Sequence, residues 1–478
     1  MHLNALKSTA CCQAARTSLQ WWCQASTPAK WDSVSSLFAA RFMSMNSGDE
    51  GGREPPERIP RAGKYRSAWK ILKEEVEGIG TMKPPGMEIP RECDVLIVGG
   101  GVIGSAVAYW IKERNPKGSN VVIVERDPMY TRASTMLSAG GIRHQFSIPE
   151  NVQLSLFATE FFKNIKERLS VIHESPPDIS FNHQGYMFLA APRNAERLVE
   201  NVKMQNELGA KIALLTKNQL AEKFPWLNLD GVECGSLGLE GEGWIDPWSL
   251  LRAFKQKNIS LGTKYVHGEL INFEFLTKQD HGAGDRNLRL DSGVIRAKDG
   301  SEHEIRFCVV VNCAGPWAAD VAELAKIGLG DEELVFPLPV EPRKRFVYVV
   351  HCPQGPMLDF PFTVDQSGLY VRREGYGGHY ICGKSPSEEQ EPDIANFEVD
   401  YDFYDEELWP SLARRIPAFN NSKLRITTAV PKFVTHLGGN ISYFVATLHK
   451  PALRSDQVNH SLHFEYLVPA VKPENAIL

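Results

Sequence analysis

Three glycines at fixed spacing, Gly99-x-Gly101-x-x-Gly104, follow the apolar run Val95-Leu96-Ile97-Val98 and lead straight into Ser105-Ala106-Val107-Ala108-Tyr109-Trp110. Backbone without side chains can do one kind of chemistry here: it can set N–H groups against a charged phosphate with no Cβ in the way. Gly99 permits the tight turn, Gly101 the close approach of a pyrophosphate, and Gly104 the packing of helix on strand. A second apolar run, Val121-Val122-Ile123-Val124, ends in Glu125 and continues into Arg126-Asp127. An acid about 20 residues beyond such a glycine turn accepts the hydroxyls of an adenosine ribose. Strand, glycine turn, helix, strand and acid in this order read as a dinucleotide-binding βαβ unit, against the plainer alternative of a glycine-rich turn without a ligand.

Two further segments must stand beside that turn if the reading is right. Thr131-Arg132-Ala133-Ser134-Thr135-Met136-Leu137-Ser138-Ala139-Gly140-Gly141 is rich in hydroxyls and glycine. It can offer Ser134, Thr135 and the bare N–H groups of Gly140 and Gly141 to a pyrophosphate and a cofactor ring, or it is an ordinary capped loop. Phe307-Cys308-Val309-Val310-Val311-Asn312 is a buried strand that breaks at Ala314-Gly315. Placed parallel to the first strand, it would carry Ala314 and Gly315 to the same dinucleotide.

The remaining chain supplies the scaffold. At 478 residues, with 43% hydrophobic and 23% charged residues, it is long enough for two domains or for one large α/β unit with insertions. A formal net charge of -5 and the lack of a long basic run give no sign of a nucleic-acid binder. Nine cysteines without a C-x-x-C pair suggest neither a zinc site nor a disulfide framework. No apolar stretch is long enough to span a bilayer, so membrane contact would be peripheral. Residues 1–47 carry Lys7, Arg16, Lys30 and Arg41 against the single acid Asp32 up to Met45, the composition of an organelle transit peptide or a disordered tail. Residues 48–92 read as a Gly/Pro-rich linker with one short amphipathic stretch, Trp69–Val76.

Helical spacing is expected over Pro149 to Leu169, Ala195 to Leu208 and Leu250 to Lys257, the last opened by Asp246-Pro247, whose role is a helix cap before any chemistry. Strands are expected at Gly185–Ala190 and Tyr265–Phe273. Val340–Val350, Gly368–Arg373 and the segment ending at Gly383 alternate as strands of a separate antiparallel sheet, and a helix runs through Arg415.

This order of motifs resembles the flavin-dependent amine oxidoreductases grouped with D-amino-acid oxidase, sarcosine oxidase and dimethylglycine dehydrogenase. The likeness runs from Cys93 to about Leu424. Gln145-Phe146-Ser147-x-Pro149-Glu150-Asn151, Gly243-Trp244-x-Asp246-Pro247-Trp248 and Val340-Glu341-Pro342-Arg343-Lys344-Arg345 are similar to those of a mitochondrial branch of that family linked to assembly of respiratory complex I.

The resemblance implies an α/β fold: a Rossmann-type FAD-binding domain with a second, antiparallel β-sheet (α+β) substrate domain. The FAD half would comprise 93–148 and 243–330, the substrate half 149–242 and 335–425. It further implies that Gly99, Gly101 and Gly104 meet the FAD pyrophosphate and Glu125, beside Arg126, the ribose. Ser134, Thr135, Gly140 and Gly141 would lie by pyrophosphate and ring, Leu270 would hold adenine through its backbone, and Ala314, Gly315 and Trp317 would line the pyrophosphate side.

Relatives that tether the flavin do so through a His in Ser-Thr-x-His. This chain has Ser134-Thr135-Met136-Leu137, so non-covalent FAD is expected. Arg143-His144 stands where an Arg-His pair of sarcosine oxidase-like enzymes binds the substrate carboxylate, a task suited to a guanidinium fork. Read from the residues alone, a surface Arg-His pair is preferred. Tyr370 and Arg372 are weaker candidates for the same pocket. The family's closing glycine motif is absent from 426–478, where His449-Lys450-Pro451 stands instead. The expectation is a mitochondrial matrix flavoprotein acting on an unidentified small molecule, with complex I subunits or assembly intermediates as partners, either as an amine-oxidising enzyme or as a catalytically weak assembly factor.

Overall fold

The computed structural model describes residues 89–278, 287–329, 336–396 and 398–420, and the backbone of 425–437 and 446–449. The transit segment, the stretch Trp69–Val76, all but the last residues of the linker and most of 426–478 lie outside the described residues.

The dinucleotide unit forms where its pattern places it: β1 (Glu92–Val98), α1 (Val102–Arg114) and β2 (Val121–Glu125), followed by the two-residue β3 (Gly141–Ile142). The expected helix from Pro149 divides at Asn164 into α2 (Pro149–Lys163) and α3 (Ile165–Leu169). The next elements are β4 (Tyr186–Ala190), α4 (Pro192–Glu207), β5 (Ile212–Thr216), α5 (Lys217–Lys223), β6 (Cys234–Gly238), β7 (Gly243–Trp244) and α6 (Pro247–Ser260). Three long strands, β8 (Lys264–Lys278), β9 (Asn287–Ala297) and β10 (Glu302–Asn312), precede α7 (Ala318–Leu324). The chain continues through β11 (Val340–His351), β12 (Phe362–Val364), β13 (Tyr370–Glu374), β14 (His379–Gly383), α8 (Trp409–Arg415), β15 (Arg425–Leu437) and β16 (Ala446–His449).

Two sheets organise these elements. In the first, β1 lies between β2 and β10 and runs parallel to both, with Val95 opposite Val121 on one side and Val309 on the other. All three strands are nearly continuous apolar runs because helices or strands cover both their faces. On one face Ile97, Ile123 and Val311 pack with Ala108 of α1. On the other, Leu96, Val122 and Val310 pack with Phe273 and with Val321 of α7. Helix α1 is held against α6 by Tyr109, whose ring meets Phe254 at 5.7 Å, and by Asn258, which donates to the Ser105 carbonyl at 2.7 Å.

The second sheet has the order β15-β11-β14-β13-β12-β4-β6-β5, antiparallel except for the β12–β4 pair. It packs Tyr348, Tyr380 and Phe360 against Leu408, Leu412 and Phe419 around α8. This sheet extends past residue 425, where the substrate half was expected to end: β15 pairs with β11 from Val340↔Leu437 to His351↔Arg425. The twelve residues of β11 need a partner of similar length, and the β-branched run Ile426-Thr427-Thr428 with Val430 and Val434 provides one. Among the described cysteines, Cys93, Cys234, Cys313, Cys352 and Cys382 form no disulfide, whereas Cys308 is disulfide-bonded.

A buried ion pair ties the end of β12 to the end of α8. Arg415 donates from Nε to Asp365 Oδ1 at 2.7 Å, and both side chains are about 5% exposed. Replacing one partner strands the other charge in the interior, so Arg415→Met is expected to lower the unfolding free energy by about 3–5 kcal/mol, and the double variant Arg415→Met/Asp365→Leu by clearly less. Urea denaturation of the three chains measures both.

Candidate active site

The cofactor cradle begins where three strand ends converge. Cys313 N–H donates to the Val98 carbonyl at 2.8 Å and Gly99 N–H to the Val124 carbonyl at 2.8 Å, locking the ends of β10, β1 and β2 together. Gly99 sits at φ +101°, and a Cβ there would lie 2.3 Å from the Cys313 carbonyl oxygen. A Cβ on Gly104 would lie 2.0 Å from the Gly99 carbonyl. Both positions therefore exclude side chains by contact with backbone that cannot move.

Gly101 differs: its nearest neighbour would be the Thr135 hydroxyl at 3.3 Å, with open space otherwise. It forms the N-terminus of α1, which has no side-chain cap from its own residue and no acid in its first turn. A thirteen-residue helix that starts on a bare glycine with no acid in its first turn turns the positive end of its dipole to open space, and the pyrophosphate of FAD fits there. Glu125 accepts from Gly100 N–H at 2.8 Å and Asp127 N–H at 2.9 Å, which holds its carboxylate at the mouth of the turn with lone pairs left for a ribose.

The loop after β2 lies against the turn. Thr135 Oγ1 accepts from Val102 N–H at 3.1 Å, which joins this loop to the start of α1, and Ser134 is its neighbour in the chain. Across the turn, Gly315 at φ +58° has nothing within 4 Å of a Cβ, so the Ala314-Gly315 break opens onto space. The Arg126 guanidinium stacks on the Trp317 ring at 4.1 Å and meets Glu269 at 3.6 Å. Strand β8 pairs with β2 only through His267, so the edge of residues 268–270 facing β2 is free of that ladder. Leu270 lies on that edge, next to a polar cleft of about 460 Å³ lined by Arg126, Asp127, His267 and Glu269. Of the expected cofactor residues, Arg126 lines this cleft, while Gly99, Gly101 and Gly104 form the turn at the ends of β1, β2 and β10.

Gly140 and Gly141 lead from the cradle to the substrate side. Gly140 accepts from Ile245 N–H at 2.9 Å, and β3 pairs with β7 through Gly141↔Trp244. The Asp246 carboxylate caps α6 through Trp248 and Ser249 N–H, so the expected cap is its role. A Cβ on Gly141 would meet Tyr186 and Phe362 at 3.1 Å, and these two rings stack at 4.3 Å. Together with Ala139 and Trp244 they form an apolar wall from the second sheet.

The four candidates for substrate contact part company. Arg143 is half-buried, with its guanidinium 4.6 Å from the Phe146 ring, 5.1 Å from Phe188 and 5.9 Å from Tyr186. Among the described residues it makes no side-chain hydrogen bond or ion pair, so its donors remain available. His144 is 3% exposed, and its Nε2 is 2.8 Å from Thr159 Oγ1. Burial, with Lys163 nearby, pushes it down to about 4, and its imidazole stays neutral. The preferred sequence reading of a surface Arg-His pair is therefore corrected: the pair is drawn inward because β3 must turn beneath the wall.

Arg372 is also buried, but it is spent, donating to the Ala139 carbonyl at 2.7 Å, to the Arg373 carbonyl and to Glu374. It holds the loop rather than a ligand. Tyr370 stacks on Phe362 at 6.1 Å, and burial drives its phenol above the ordinary range, so it is a neutral part of the wall.

Sequence reasoning missed the buried acid behind this wall. Glu242 is 1% exposed and accepts from His144 N–H at 2.5 Å and Gln145 Nε2 at 2.8 Å. Gln145 also donates to the Tyr186 carbonyl and accepts from Ser236. The signal was present in Gly238-x-x-Gly241-Glu242-Gly243, where the first two glycines clear space for the Glu242 carboxylate and the His144 ring.

Burial pushes the Glu242 carboxyl up to about 7, against the downward pull of the His144 and Gln145 hydrogen bonds and of Arg143. The folded protein therefore binds a proton that the unfolded chain, with its ordinary value of 4.5, has already released. This contribution to stability is fully present below the unfolded value and is lost as pH rises to about 7. Glu242→Gln is expected to flatten that part of the profile, measured as the urea midpoint against pH.

Comparison with known proteins agrees with this geometry. The profile described as "DAO: FAD dependent oxidoreductase" matches residues 94–440. The chain is 50% identical over 354 residues to FAD-dependent oxidoreductase domain-containing protein 1 of Xenopus laevis, covering 72% of this chain and 71% of the relative. The fold is similar to L-proline dehydrogenase from P. horikoshii, with a TM-score of 0.57 and 22% identity over 72% of this chain and 82% of that one. It is also similar to glycine oxidase from Geobacillus kaustophilus, with a TM-score of 0.56 and 20% identity over 73% and 84%. On that match over residues 94–440 and that identity, the chain belongs to the DAO family of FAD-dependent oxidoreductases.

Proposed function

We propose that this protein oxidises a small amine bearing a carboxylate, with Arg143 as the anchor of that carboxylate. The observation that carries the reading is the position of Arg143. It lies two residues beyond Gly141 and shares the Tyr186 ring with it, its donors unspent over an aromatic floor. A planar guanidinium with free N–H groups takes a carboxylate in two parallel hydrogen bonds. FAD supplies the redox chemistry when bound. The chain's own residues do the rest: Arg143 orients, while Tyr186, Phe362 and Trp244 exclude water from the face they cover. The names of the two similar solved enzymes, which refer to proline and glycine, support an amino acid as the substrate class.

The excess of basic over acidic residues before Met45 supports a mitochondrial address. A further role in assembling respiratory complex I is supported by the motif likeness and by Leu154 and Phe157, which are exposed three residues apart on α2, as a docking face would require.

Purified full-length protein is expected to show flavin absorbance that acid precipitation releases into solution. Gly101→Val, whose branched side chain fills the open cradle, is expected to lose that absorbance while keeping its far-ultraviolet circular dichroism. A colourless, folded wild type would overturn the flavoenzyme reading. Arg143→Met should keep its flavin and raise KM for an amino-acid substrate by about 10- to 100-fold. In cells lacking the protein, complex I assembly restored by Arg143→Met would separate the assembly role from turnover; failure would tie the two together.

A further inference from the structure

Beneath the Arg143 anchor lies a buried acid that the orientation of substrate does not use. Glu242 accepts hydrogen bonds from His144 N–H and from the Gln145 amide, and neither donor is charged. His144 and Gln145 are the two residues that follow Arg143, so the carboxylate grips the same short segment that carries the guanidinium.

The surroundings leave few groups able to balance its charge. On the β3 segment stand Arg143 and the neutral His144, whose Nδ1 finds no hydrogen-bond partner. From α2 come Thr159, bonded to His144, and Lys163, which acts on the imidazole. From β4 comes Tyr186, whose phenol burial drives up to about 12. From β6 come Ser236 and the bare Gly238, and from β13 comes Arg372, already paired with Glu374. Arg143 is the cation among these whose field reaches Glu242 without a carboxylate partner of its own.

We infer that Glu242 takes up a proton from solvent when a carboxylate seats on Arg143, so that anion binding and a buried protonation are linked. The inference rests on the proposed role of Arg143 and deepens it. A free guanidinium favours the ionised form of a nearby acid, and an anion on that guanidinium cancels the favour. Because Glu242 is 1% exposed, the cancelled interaction is expected to move the acid by about one pH unit. The Glu242 carboxyl already stands at about 7, so a rise of that size converts it from largely ionised to largely neutral in the physiological range. Glu242 is thus a positioning residue: it touches the segment that bears the anchor, and its charge sets the affinity for the anion.

Isothermal calorimetry of benzoate binding to the flavin-loaded, full-length protein tests this in two buffers of different ionisation enthalpy. Near pH 7.5 the buffer dependence is expected to report about half a proton taken up, and the benzoate Kd to rise about fivefold between about pH 6 and pH 8. Glu242→Gln should still bind benzoate, with no proton uptake and a flat Kd. Gln145→Met, which removes one donor to the carboxylate, should shift the uptake to higher pH and keeps the test decisive where the first variant does not fold. A buffer-independent enthalpy in the wild type, or an unchanged uptake in either variant, overturns the linkage and leaves the anchor intact. Benzoate that does not bind, or binds Arg143→Met as tightly as wild type, overturns the anchor and the linkage together.

Discussion

The joint of β1, β2 and β10 is the constraint from which the rest of the site follows. Its hydrogen bonds, Cys313 to Val98 and Gly99 to Val124, bring three backbones so close that no side chain fits at Gly99. Once these ends are fixed, α1 must point the positive end of its dipole over the turn, Glu125 must stand at its lip, and the break at Gly315 must follow the end of β10. The electrostatic character of the cradle is thus a consequence of packing. Buried strands impose the convergence, and convergence aligns the dipoles.

From that joint, the segment 139–145 carries order to the second sheet. It is gripped at its start by Arg372 on the Ala139 carbonyl and at its end by Glu242 on His144 and Gln145. Neither grip is a surface salt bridge. Both are buried charges spent on backbone or amide groups, where low dielectric makes a lost partner costly. Arg143 lies between the two and is the residue left without such a commitment. A binding group held rigidly but unsatisfied is what a polar ligand needs, and the aromatic floor of Phe146, Tyr186 and Phe188 keeps the guanidinium in place without using its donors.

Much of the cofactor half was legible in the sequence because its signals are local. The glycine spacing, the apolar runs and the terminal acid each report a backbone requirement within a few residues, and the parallel placement of β10 followed from its uninterrupted apolar run. The chemistry of the substrate half was far less legible. Arg143, His144 and Arg372 look alike as exposed polar residues in a one-dimensional reading. Their fates diverge because β13 places Arg372 under Ala139, while β7 draws His144 beneath the wall. The break of the long helix at Asn164 was likewise invisible to a count of apolar positions.

The sequence by itself determined the strand, glycine turn and helix around Gly99 to Gly104 and the antiparallel sheet that accompanies them, because those features are written in short-range sterics and periodicity. Tertiary structure alone decided which charges are free. Glu242 and Gln145 come from segments about a hundred residues apart, and their meeting depends on how β3 pairs with β7 and β4 with β6. Burial, not residue type, sets whether an arginine binds substrate or a backbone carbonyl, and burial is a property of the packed whole.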